Sequence, residues 1–205
     1  EKEVEHAKSY LQIQKFRYKN QFQYSFDVQE SCLHYYCNKI TLQPIIENAI
    51  YHGLNRMIDE GFIEIKIFED GGVMPNPTAE KLRDGVEKAR AAKADLLLAV
   101  GGGSVCDYAK AVSVSVFCNE DAWDKYFDRF EDVDNPIVPV GCVLTMAGTG
   151  SEMNGGSVIT NREKKLKIGH VFGENVFPKF SVLNPEFTMT VPRYQMISGI
   201  YDIMS

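Results

Sequence analysis

The chain has 205 residues, of which 44% are hydrophobic and 24% charged, with a formal net charge of −6. This is the composition of a soluble globular protein of one large domain or two small ones, and the acidic balance, with no basic run to offset it, excludes non-specific nucleic-acid binding. No apolar stretch approaches the roughly 20 residues that span a bilayer, EKEVEHAKSY reads as no signal peptide, and Cys32, Cys37, Cys106, Cys118 and Cys142 lack C-x-x-C spacing and read as reduced thiols in a cytoplasm.

Residues 1–20 predict a charged helix with a narrow apolar stripe at Val4, Ala7, Leu11 and Tyr18. FQYSFDV alternates and predicts a strand from Phe22 to Val28. TLQPIIENAIYHGLN predicts a helix with Pro44 in its first turn, Ile45, Ile46, Ala49 and Ile50 facing inward, and Gly53 as its stop. FIEIKIFED predicts a half-buried strand from Phe62 to Phe68. Beyond GGVMPNP, residues 78–93 predict a surface helix burying Leu82, Val86 and Ala89. The run Leu96–Val100 then predicts a strand buried on both faces. DAWDKYFDRFED reads as a helix or loop excursion, and residues 137–144 as an apolar strand ending in the small-residue turn MAGTGSEMN. A hairpin with a polar tip follows, then a strand in FPKFSVLNPE and a helix capped by Thr190 with Pro192 in its first turn. Strands alternating with helices predict an α/β fold: a mostly parallel sheet flanked by helices. His6, His34, His52 and His170 are scattered without ligand spacing, so no zinc site is expected.

The turn in LLLAVGGGSVCDYAKAV, residues 96–112, is the most informative local feature. Gly101, Gly102 and Gly103 permit positive φ and leave no Cβ in the way of a ligand. Ser104 is a candidate N-cap, with Asp107 completing a capping box, and Ala109, Val112, Val116 and Phe117 give the helix an apolar face. The helix start would offer free N–H groups and a positive dipole end to a pyrophosphate. A tight strand-to-helix connection without a ligand explains the same glycines equally well.

Residues 71–205 resemble the iron-containing (group III) alcohol dehydrogenases, in their butanol-dehydrogenase-like branch. The resemblance is carried in order by GVMPNPT at 72–78, ADLLLAVGGGSVCDYAKAV at 94–112, VLTMAGTGSEMNGGSVITN at 143–161, FPKFSVLNPEFTMTVP at 177–192 and GIYDIMS at 199–205. It implies a dehydroquinate-synthase-like nucleotide-binding domain whose N-terminal part is replaced here. It also implies a dinucleotide, NAD or NADP, held by Gly101, Gly102, Gly103, Ser104, Thr145, Thr149 and Lys167. Lys164 and Lys165 compete with Lys167 for that role, and a solvated hairpin tip accounts for all three. Asp202 matches the aspartate of a metal set, iron or zinc, that the family completes with three histidines absent from these 205 residues. Asn184 departs from the family's usual Asp. One carboxylate does not hold a transition metal, so the expectation is a truncated enzyme without bound metal, with no catalytic residue assigned and at most dinucleotide binding.

Residues 1–70 resemble a bacterial sensor histidine kinase: the end of its dimerisation helices in EVEHAKSYLQIQKFRY, and in ITLQPIIENAIYHGLN the N-box of its ATP-binding domain. That resemblance assigns Glu47, Asn48 and His52 to the N-box, with Glu47 polarising a water and Asn48 binding magnesium. An amphipathic helix that happens to bear those letters is the plainer reading. The phospho-accepting histidine and the glycine-rich boxes are missing, so no autophosphorylation is expected. The whole then reads as a chimera joined near FEDGGVMPNP, whose kinase piece stands in for the missing start of the dehydrogenase sheet. The alternative function is a non-catalytic interaction or dimerisation module, or a fusion with no function. The stripe Met196, Ile197, Ile200 and Met204 predicts a homo-oligomer.

Overall fold

The computed structural model describes residues 1–19, 21–34, 42–52 and 61–204, the side chains of Asn48 and His52 excepted. The chain divides into two compact units, Glu1–Glu69 and Asp70–Ser205.

In the first unit, α1 (Lys2–Arg17) is followed by β1 (Phe22–Val28), α2 (Leu42–His52) and β2 (Gly61–Ile67). The two strands pair in parallel, Phe22 opposite Gly61 through Val28 opposite Ile67. Alternation sets the faces: Gly61 and Ile63 are buried, whereas Phe62 and Glu64 point outward. The core is Ala7 and Leu11 from α1, Phe22 from β1, Ile46 and Ile50 from α2, and Ile63 from β2. Ala7 and Leu11 are the heart of the expected stripe, while Val4 and Tyr18 are only half-buried. Ala49 is exposed rather than inward, because the buried face of α2 is the narrow i, i+4 row of Ile46 and Ile50. The expected stop at Gly53 and the thiol of Cys37 lie outside the described residues.

The second unit is an α/β fold with parallel strands flanked by helices. α3 (Ala79–Ala92) starts at Thr78, whose hydroxyl accepts from the Lys81 N–H at 3.2 Å, and ends at Lys93 in a left-handed conformation. Its buried row is Leu82, Val86 and Ala89, with Gly85 between. Then come β3 (Leu97–Gly101), α4 (Gly103–Ser115), a single wide π-type turn at Trp123–Asp128, β4 (Val140–Leu144), β5 (Gly156–Asn161), β6 (Leu166–Val171), β7 (Phe180–Val182) and α5 (Arg193–Met204). β3, β4 and β7 form a parallel sheet in that order, and β5 and β6 an antiparallel hairpin with Lys165 at its tip in positive φ. α4 packs against β3, β4, β5 and α3 and is buried from Tyr108 to Ser115.

Three expectations give way here. β3 is not buried on both faces: Leu98 and Val100 are 38% and 50% exposed, because α4 covers only the side that bears Ala99. Phe117 leaves the apolar face of α4, which ends at Ser115, and is half exposed. The last helix begins at Arg193, after Pro192 rather than around it. The acidic aromatic excursion, by contrast, is a core element. Trp123 stacks on Phe127 at 5.6 Å, and both are buried with Tyr126 against Phe172.

Candidate functional site

The glycine turn works differently from its sequence reading. Gly102, not Ser104, is the cap of α4, and no side chain caps this end. The Val105 and Cys106 N–H groups return to the Gly102 carbonyl at 3.0 and 3.2 Å, so the first turn is closed by backbone alone. Ser104 lies within the helix, where its hydroxyl accepts from the Asn76 N–H at 3.4 Å. None of Gly101, Gly102 and Gly103 is in positive φ. Their lack of a side chain serves close approach instead. A Cβ on Gly101 would stand 2.5 Å from Val105 Cγ2, and one on Gly103 would stand 2.9 Å from Thr149 Cβ. At Gly102 the added atom would make only an ordinary contact, with Met146 Cβ at 3.4 Å, so of the three glycines this one alone could take a Cβ without displacing a neighbour.

A second turn, 145–150, is held beside the first. The Thr145 N–H donates to the Gly101 carbonyl at 2.9 Å, which extends the β3–β4 pairing by one residue. Here positive φ is real: Gly148 has φ 134° and Gly150 φ 64°. A Cβ at Gly148 would lie 2.8 Å from the Gly199 Cα, so two glycines let α5 approach this turn. Thr149 is exposed and adjoins Gly103, while Thr145 is half-buried.

Asn76, in positive φ at 57°, links the other two expected residues. Its N–H reaches Ser104, and its Oδ1 accepts from Lys167 Nζ at 2.6 Å. The structure thus brings together Gly101–Ser104, Thr145, Thr149 and Lys167. Lys164, by contrast, pairs with Asp128 at 2.7 Å. Asn76 was legible only as part of a motif; its bridging depends on contacts with residues 28 and 91 positions away.

Beneath the turns, Asp107 caps nothing. Its carboxylate accepts from the Ser151 hydroxyl and from the Val158 N–H at 3.1 Å. Lys110, one turn on, is fully buried and donates to the Ser151 carbonyl and hydroxyl, both at 2.8 Å. It also reaches the Asn154 carbonyl at 3.2 Å and Oδ1 at 3.1 Å. Burial pushes the Lys110 ammonium below the usual lysine range, against the upward pull of Asp107. A helix as apolar as α4 is buried, so two charges at i and i+3 within it must be satisfied inside the protein; that was the signal in the sequence.

Asp202 is on α5 and exposed. Among the described residues no group of three His, Cys, Asp or Glu side chains is placed to hold a metal ion. Among the described residues, therefore, Asp202 is not joined by the further ligands a metal set needs. Glu47 is exposed on α2 and its Oε1 accepts from Gln43 Nε2 at 2.7 Å; the side chains of Asn48 and His52 lie outside the described residues. No helix among the described residues is long and apolar enough to cross a membrane.

A parallel sheet whose strand β3 runs through a glycine turn into the uncapped start of a buried helix defines a nucleotide-binding type of α/β domain. The iron-containing alcohol dehydrogenase family matches residues 40–185, and the chain belongs to that family. The match begins within the first unit and takes in α2 and β2, so the family extends upstream of residue 71. Nothing in the comparisons supports a kinase origin for residues 1–70 or a chimera. The chain is 47% identical over 140 residues to a probable NADH-dependent butanol dehydrogenase 1 of Bacillus subtilis, covering 68% of this chain and 35% of that protein. It is 39% identical over 163 residues to NADH-dependent butanol dehydrogenase A of Clostridium acetobutylicum, covering 78% and 40%. The crystal structure of NADH-dependent butanol dehydrogenase A from Thermotoga maritima superposes with a TM-score of 0.60 at 29% identity, covering 92% of this chain and 43% of that one. The chain thus spans about two fifths of these relatives' lengths.

Proposed function

We propose that this stretch is the dinucleotide-binding part of an NAD(P)-dependent iron-type alcohol dehydrogenase. The observation that carries the reading is the start of α4, which no side chain caps and which the 145–150 turn flanks. There the pyrophosphate would sit against backbone N–H groups and the helix dipole. The hydroxyls of Thr145 and Thr149 border the same space, and Lys167, held by Asn76, supplies a cation and donor at its edge. When bound, the nicotinamide exchanges a hydride with an alcohol or aldehyde; the residues described here bind and orient. The relatives named above are NADH-dependent by name, which makes NADH the first cofactor to titrate and NADPH the comparison.

Asp202 alone does not make a metal site, so no chemical step is assigned to iron or zinc, and alcohol oxidation by these residues alone is not expected. The histidine-kinase reading of Glu47, Asn48 and His52 is favoured by no observation in the structure. Parallel titrations with NADH and ATP separate the readings. Saturable NADH binding that Gly102→Val abolishes supports the dehydrogenase assignment, whereas ATP binding without NADH binding sinks it.

A further inference from the structure

We infer that Lys110 and Asp107 are positioning residues for the dinucleotide cradle, fixing where the 145–150 turn stands against the glycine turn. The inference rests on the dinucleotide reading above. An ammonium is rarely buried completely, because its desolvation must be matched by well-placed acceptors, and an apolar side chain would fill the same core more cheaply. Lys110 nonetheless occupies the interior of α4, and its hydrogen bonds converge on one short segment, Ser151–Asn154, directly after Gly150. Asp107 engages the same segment through the Ser151 hydroxyl, and reaches β5 through the Val158 N–H. Ser151 in turn donates its N–H to the Thr149 hydroxyl at 3.4 Å, one link from the cradle.

The second turn is therefore tied at both ends to the element that carries the first. At its start Thr145 is bonded to Gly101, the last residue before the turn into α4. At its end Ser151 and Asn154 are bonded to α4 itself. Between these anchors lie Gly148 and Gly150, in conformations that other residues seldom adopt, so little in the turn's own backbone preference would hold it. The same helix offers its free N–H groups to a phosphate at one end and, one to two turns further on, sets the position of the opposite wall.

The test is an NADH fluorescence titration combined with amide hydrogen exchange on the 205-residue chain and its Lys110→Met, Asp107→Ala and Asp107→Asn variants. Lys110→Met and Asp107→Ala are expected to weaken NADH binding at least roughly tenfold, the scale of losing hydrogen bonds to a charged group. Exchange should quicken at residues 147–154 while β3 and the second half of α4 stay protected. Asp107→Asn keeps an acceptor for the Val158 N–H and should restore part of the affinity. Should Lys110→Met fail to fold, the Asp107 pair carries the test. Unchanged affinity with 147–154 still protected overturns the inference. So does exchange that rises uniformly through the core, which would make the pair merely structural. If the unaltered chain binds no NADH although the variants open 147–154 selectively, the dinucleotide reading has failed, and the cofactor role of the anchor fails with it.

Discussion

Gly102 and Gly103 are adjacent, yet a methyl group would meet different surroundings at each. At Gly102 it makes an ordinary contact with Met146, and the backbone there, φ −90° and ψ −168°, is available to any residue. Gly102→Ala should therefore leave the melting temperature nearly unchanged while obstructing the approach of a phosphate to the helix N–H groups. At Gly103 the added Cβ would press on the Thr149 side chain, and overpacking of this kind costs about 1–3 kcal/mol. Gly103→Ala should lower both the melting temperature and the affinity, and a scan with and without NADH distinguishes the two outcomes. Lys167 makes a third case at this scale. It is exposed and bonded to Asn76, so Lys167→Ala should reduce affinity without touching stability, as measured by the same titration and melt.

Among the elements, α4 ties the second unit together, and its side chains were the hardest to interpret from sequence. The apolar alternation of β1 and the stripe of α1 were legible because each is decided by neighbours two to four residues away. The pattern S-x-x-D at Ser104–Asp107 looks like a capping box, but capping is settled by which residue leaves the strand, and that is Gly102. The apolar run in β3 likewise could not show that only one side would be covered. Asp70 is a further long-range case. It accepts from Lys81 Nζ at 2.7 Å, from Lys88 Nζ at 2.8 Å and from the Tyr108 hydroxyl, and so joins α3 to α4. Burial raises its carboxyl, but the hydrogen bonds from Lys81, Lys88 and Tyr108 outweigh that and leave it below the usual carboxylate range. A carboxyl lowered in the folded state contributes stability above its unfolded pKa and loses it as pH falls through the folded value. Asp70→Asn should therefore cost about 1–3 kcal/mol near neutrality and flatten the acid limb of the stability profile, as followed by thermal melts from neutral pH downward. Equal acid sensitivity in both proteins would remove Asp70 from the account.

The molecule as a whole has two compact units with their own cores, and the second contains every residue assigned to the cradle. On α5, Met196, Ile197 and Ile200 are 41–49% exposed and Met204 is 77% exposed, an apolar face of the kind that monomeric surfaces usually avoid. We expect the 205-residue chain to self-associate through it, and light scattering over a concentration series checks this; a monomeric mass throughout would count against it. The central claim, however, is that backbone and dipole at the start of α4 make a seat for a diphosphate. The most direct measurement is an NADH titration of the unaltered chain beside Gly102→Ala at matched stability. The account predicts saturable binding by the first and at least roughly tenfold weaker binding by the second. Equal affinity in the two, or no binding by either at millimolar cofactor, would contradict it.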